Sequence, residues 1–221
     1  MKRKLYLIIC IVLCITLGTA CKQEEKSEQK TENYSVVTNM RMQVKDNGIF
    51  YLDGYKQLMK FYDYELKESM PVCDKPNCKH RSLKCNAYIE NGFNSTLGNY
   101  RGKLYFFNPT SEEFSLYVSD ANGSNRKELA KLNAGGKHMT CVIKPPMWFI
   151  KDKIYLGVEY ADLTNNPENL EKSVWQFISI SLKDGNIDVL KEPEEIDENT
   201  SYVDILSYKD GQLLYYMGEE I

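Results

Sequence analysis

The sequence predicts an all-β chain built from a repeated unit of about 50 residues, and three observations carry that expectation. A turn followed by a Leu/Ile–aromatic strand recurs four times, with the equivalent aliphatic residues Ile49, Leu104, Ile154 and Leu213 spaced 55, 50 and 59 residues apart. Strict alternation marks the runs that follow, as in Phe114-Ser115-Leu116-Tyr117-Val118, where every second side chain faces one way. Finally, sixteen Tyr and eight Phe tilt the composition toward half-buried strands. At 43% hydrophobic and 27% charged, the 221 residues have ordinary globular usage, so most of the chain should fold.

Residues 1–20 read as a secretory signal. Lys2, Arg3 and Lys4 form a basic start, Leu5 to Leu17 is apolar and uncharged, and small residues lead to Cys21. The apolar stretch is too short for a stable membrane span. The run Leu17-Gly18-Thr19-Ala20-Cys21 resembles the lipobox of bacterial lipoproteins, with Gly18 where that family usually has Leu. The resemblance implies that Cys21 becomes a diacylated N-terminus, and two or more acyl chains make attachment stable where one is marginal. Residues 21–35 read as a lipidated cysteine and flexible tether, because Lys22 to Asn33 contains no apolar side chain to bury. A coil of about a dozen residues reaches on the order of 20 Å. Without the signal the net charge moves from −3 to −6, which disfavours nucleic acid as a partner.

Residues 36–221 carry the repeat. Its four openings are Asp46-Asn47-Gly48-Ile49-Phe50, Arg101-Gly102-Lys103-Leu104-Tyr105, Lys151-Asp152-Lys153-Ile154-Tyr155 and Lys209-Asp210-Gly211-Gln212-Leu213. Second strands are expected over Leu58–Tyr64, Phe114–Ser119 and Phe177–Leu182. The turns Asn122-Gly123 and Asp184-Gly185 lead to third strands at Lys127–Ala130 and Ile187–Leu190, since these pairs supply the positive φ of tight hairpins. A unit of this size with three or four antiparallel strands matches a β-propeller blade. About three blades are complete and a fourth stops near its first strand, so the chain is expected to be a truncated propeller.

The pattern Gly102-Lys103-Leu104-Tyr105-Phe106, then Leu116-Tyr117-Val118-Ser119-Asp120-Ala121-Asn122-Gly123-Ser124-Asn125, resembles blades of TolB-type and low-density-lipoprotein-receptor-like β-propellers. The segment Pro71 to His80, ending in Cys85-Asn86-Ala87-Tyr88, resembles a cysteine signature of propeller lipoproteins of Gram-positive anaerobes. Together these imply a β-propeller lipoprotein on the outer face of a cell membrane.

Side-chain chemistry concentrates in that cysteine segment. Cys73, Cys78, Cys85 and Cys141 are an even set in an exported chain, which suggests disulfides, with Cys73–Cys78 favoured on loop-closure grounds. Cys73, Cys78, His80 and Cys85 support a second account, because three thiolates and one imidazole are the ligand set of a closed tetrahedral structural zinc site. Both accounts stay open from the residues alone. His80 and His138 are the only histidines, no Gly-x-Ser-x-Gly elbow accompanies them, and no P-loop or dinucleotide glycine pattern occurs. Asp184-Gly185-Asn186 begins like a calcium loop, but Val189 stands where that loop needs glycine. The acidic run Glu192–Glu198 reads as a solvated loop, Asp162–Asn169 as a lengthened loop suited to ligand contacts, and Trp148 and Trp175 as packing residues.

The expected function is therefore a membrane-anchored extracytoplasmic binding or scaffolding module without catalysis. It would meet the membrane through its lipid and take a protein or carbohydrate ligand. The rival expectations are a propeller hydrolase or lyase acting on glycans, and a non-functional fragment of a longer propeller protein.

Overall fold

The computed structural model describes residues 34–90, 92–93, 95–109, 114–132, 139–162, 173–196 and 202–218. The signal, Cys21, most of the tether, His138 and residues 163–169 of the lengthened loop lie outside them. Every regular element among the described residues is a β-strand, and every named strand pairing is antiparallel.

The first sheet is the meander β2 (Met42–Lys45), β3 (Gly48–Asp53), β4 (Leu58–Asp63) and β5 (Glu68–Pro71). The second repeats it with β6 (Leu97–Tyr100), β7 (Lys103–Pro109), β8 (Phe114–Asp120) and β9 (Lys127–Leu132). The third comprises β10 (Met139–Ile150), β11 (Lys153–Asp162), β12 (Ser173–Ser181) and β13 (Ile187–Ile196), and β14 (Tyr202–Lys209) with β15 (Gln212–Gly218) forms a final hairpin. Each opening turn read from the sequence lies inside the first hairpin of its sheet, so a strand precedes it. The unit is thus four strands where the sequence marked three most clearly. Arg101 and Gly102 at φ 48° and 73°, and Asp210 and Gly211 at 50° and 81°, have both turn residues left-handed. That is the backbone whose twist suits a two-residue hairpin.

Two boundaries differ from expectation. β1 (Tyr34–Val37) begins inside the segment read as tether and pairs with β10, Val36 opposite Trp148, making the third sheet five-stranded. A four-residue strand at the end of a polar tract has too few alternations to announce itself. Likewise, Glu192–Ile196 belongs to β13 and is no loop, with Glu194 opposite Trp175. β13 is an edge strand, where charged side chains are tolerated and discourage further pairing. Lys191 holds Glu194 and lies over the rings of Trp175 and Tyr215.

The sheets pack face to face in chain order. Phe50, Leu52 and Met59 of the first sheet meet Leu97, Leu104 and Phe106 of the second. The opposite face of β7, with Tyr105 and Phe107, joins Phe149, Ile154, Leu156, Ile178 and Ile180 of the third. Trp148, Trp175 and Phe177, on the far side of that sheet, pack on Val203 and Ile205 of β14. Period-two alternation therefore sorts each inner strand's apolar residues between two neighbouring sheets, which is why Leu-Tyr-Phe-Phe is unbroken in β7. Both Trp residues are buried, as expected of packing residues.

Asp120 closes the turn after β8, accepting hydrogen bonds from Lys103, Asn125 and Ser124. Those bonds, Lys103's first, hold its carboxyl down at about 2. A carboxylate depressed in the folded state contributes stability above its unfolded pKa of about 3.9 and loses it as pH falls through the folded value. Asp120→Asn is thus expected to be less stable than the wild type near neutral pH, with the gap closing between about pH 4 and pH 2. Urea titrations across that range check it, and a gap independent of pH would refute it.

Candidate functional site

The cysteine segment leaves β5 and crosses to the second sheet. Val72 is buried, and its N–H donates to Met59 O at 3.0 Å. The chain then turns at Pro76-Asn77, with Asn77 at φ 57° and His80 at φ 52°. Both lie in the left-handed region, which costs an L-residue energy but which Asn and His adopt more readily than most. The segment returns beside the start of β4, where Met59 N–H donates to Ala87 O at 2.8 Å and Ile89 N–H to Gln57 O at 2.9 Å.

This path brings four residues together. One ligand-type atom from each of Cys73, Cys78, His80 and Cys85 lies within 4.8 Å of all the others. His80 Nδ1 and Cys85 Sγ are 3.2 Å apart. Cys73, Cys78 and Cys85 are free thiols, with no sulfur–sulfur bond among them. Cys85 is 1% exposed and packs with Leu58 and Ala87, while the other three residues are half-buried. Cys141, the fourth thiol considered, lies on β10 opposite Tyr160, and its side chain is outside those described.

Electrostatics separate the sulfurs. Burial pushes the Cys85 thiol up to about 12, with Cys73 and Cys78 adding to the rise against the Ala87 N–H. At Cys73, burial acts upward too, but the backbone N–H groups of Lys75 and Asn86 and the neighbouring thiols outweigh it, and the pKa falls. Lys75 and Ala87 each stand two residues beyond the cysteine they serve, so the local backbone turns its donors onto the sulfur.

The turn between β8 and β9 clamps both ends of the segment. Gly123, at φ 84°, lies against the backbone of Val72 and Cys73. Arg126 reaches the other end, donating from Nη1 to the carbonyls of Tyr88 at 2.6 Å, Asn86 at 3.0 Å and Cys85 at 3.4 Å. Its guanidinium lies 4.9 Å from the Phe106 ring centre and 4.8 Å from that of Tyr117. Sequence reasoning missed Arg126, since a lone arginine after a turn carries no spacing signal. Arg126→Met keeps the apolar stem and strands the Asn86 and Tyr88 carbonyls, while Cys85 O keeps the Tyr88 N–H at 3.2 Å. A loss of about 1–3 kcal/mol is expected in urea denaturation, from unsatisfied half-buried acceptors and a lost cation–π contact. A change below about 0.5 kcal/mol would show that the clamp carries no load.

Two recesses flank the segment. One of about 530 Å³ is mostly apolar and runs from Phe50, Phe61 and Met70 to Cys73 and Ala121. The other, of about 440 Å³, gathers Lys56, Lys60, Lys79, His80 and Arg81.

No protein-family model and no curated protein matches the chain. Among solved structures, a chain of a nidogen–laminin complex is similar over 65% of this chain at 13% identity and a TM-score of 0.30. The match spans 59% of that chain's own length.

Proposed function

We propose that this protein is a lipid-anchored extracytoplasmic module whose β-propeller-like sheets bind or scaffold a ligand without transforming it. The observation that supports it best is the serial face-to-face packing of antiparallel meanders, in which each inner sheet buries both faces against its chain neighbours. The first strands also lie side by side, β2 beside β6 and β10 beside β14, as strands around a propeller axis do. Met40 O accepts from Leu97 N–H at 2.6 Å across the first of these junctions. Radial repetition of this kind presents loops on a rigid frame, a common platform for binding. The basic recess at Lys56, Lys79 and Arg81 suits an acidic protein or carbohydrate group.

Anchoring rests on the lipobox-like run at Cys21. Cys21→Ala is expected to abolish acyl labelling and to move the protein from the membrane fraction to the soluble fraction. Carbonate-resistant sedimentation of the variant would overturn the lipid-anchor reading.

A further inference from the structure

We propose that Cys73, Cys78, His80 and Cys85 form a closed structural site for one Zn²⁺, which fixes the crossing between the first and second sheets. The proposal stands apart from the anchored-module reading, and either can fail without the other.

Geometry is the first support. Tetrahedral coordination with Zn–S bonds near 2.3 Å and a Zn–N bond near 2.0 Å places sulfurs about 3.8 Å apart, and nitrogen about 3.5 Å from sulfur. The four atoms lie within 4.8 Å of one another, and the His80–Cys85 separation is 3.2 Å. Closure on a metal therefore requires shifts of no more than about 1.3 Å, with the His80–Cys85 pair lengthening by about 0.3 Å and the others closing in. A set of four protein ligands leaves no open position, which is the mark of structural rather than catalytic zinc.

The surroundings are the second support. Three thiolates and a divalent cation carry one net negative charge. Arg126 on the Cys85–Tyr88 carbonyls and the segment's own Lys75, Lys79, Arg81 and Lys84 supply the compensating field. Asn86 Nδ2 donates to Asp74 Oδ1 at 2.6 Å, and Lys75 Nζ to Lys84 O at 2.5 Å, so the two arms are already tied beside the cluster.

The third support is need. Between Val72 and Cys85 the segment's side chains are mostly polar, and Leu83 is exposed, so burial cannot order it. His80 nevertheless holds a left-handed backbone that turns its ring toward Cys85. A metal would supply the missing enthalpy, each thiol releasing its proton to solvent as its bond to zinc forms. Thiolate-rich sets with imidazole suit zinc in preference to the hard cations.

The test uses the full chain, purified without chelator from whichever cell fraction holds it. Elemental analysis is expected to find about one zinc per chain. Replacement by Co²⁺ should give the intense visible bands of tetrahedral thiolate coordination, and this needs no variant. His80→Ala should weaken zinc retention by at least the roughly 10–100-fold that loss of an outer partner costs. Cys85→Ser should abolish retention, while Cys141→Ser should leave it unchanged. A metal-free protein with a disulfide among Cys73, Cys78 and Cys85 would overturn the proposal, as would three alkylatable thiols and no metal. Zinc retained undiminished in Cys73→Ser, or iron or copper at the same stoichiometry, would overturn it equally.

Discussion

Gly123→Ala and Gly185→Ala are expected to be among the most damaging single-methyl additions in this chain. Each glycine sits in the turn before the last strand of its sheet, at φ 84° and 77°. Each lies against the outer part of the preceding sheet: Gly123 on the Val72 carbonyl, Gly185 on that of Leu129. A Cβ would overlap those backbone oxygens, and backbone cannot swing aside as a side-chain tip can. Gly102 and Gly211 provide the control, with φ 73° and 81° but open space around the missing Cβ. Alanine there costs only the left-handed strain of about 1–2 kcal/mol. At Gly123 and Gly185 the same strain is joined by an overpacking cost of about 1–3 kcal/mol. Urea denaturation of the four variants should sort them into two pairs, and four equal losses would show that the turns do not wedge between sheets.

That wedge explains what the sequence could and could not disclose. Asn-Gly and Asp-Gly announce hairpin turns through their backbone preference, and turns are where they stand. Nothing in the dipeptide says that the turn also seats on another sheet 50 residues away. The same division runs through the fold. Ile49, Leu104, Ile154 and Leu213 all lie on the second strand of a hairpin, because local twist and alternation set both. β1 was invisible, since its pairing with β10 is decided by a strand more than 100 residues on. The acidic end of β13 was misread because net charge suggests solvent, and an edge strand meets solvent while still hydrogen-bonded on its other side.

At the cysteine segment, residue types and spacing were enough to nominate Cys73, Cys78, His80 and Cys85. Their convergence was beyond spacing, because it depends on left-handed backbone at Asn77 and His80 and on the return of Ala87 beside Met59. Loop closure favoured a Cys73–Cys78 bridge, yet it counts only chain entropy. Burial of Cys85 and its packing with Leu58 are tertiary effects that no pairwise rule contains.

Phe149→Ala is expected to cost about 3–5 kcal/mol, the range for emptying a fully buried aromatic site. The ring fills the junction between the second and third sheets, 5.1 Å from Tyr100 and 5.3 Å from Tyr105 between centroids. Gly98 lies beneath it, and a Cβ there would come within 2.6 Å of the Phe149 ring, so the glycine leaves room for it. Stability on this architecture is a chain of neighbouring interfaces, as in other stacked repeats. Milder substitutions test that directly. Phe50→Leu acts in the first junction and Phe177→Leu in the third, with no shared cluster. Their losses should add to within about 0.3–0.5 kcal/mol. Phe149→Leu combined with Tyr100→Leu breaks one stacked pair twice, and should depart from additivity by about 0.5–1.5 kcal/mol. Strong coupling between Phe50 and Phe177 would instead mean one continuous core, and the picture of sheets stacked in chain order would have to be given up.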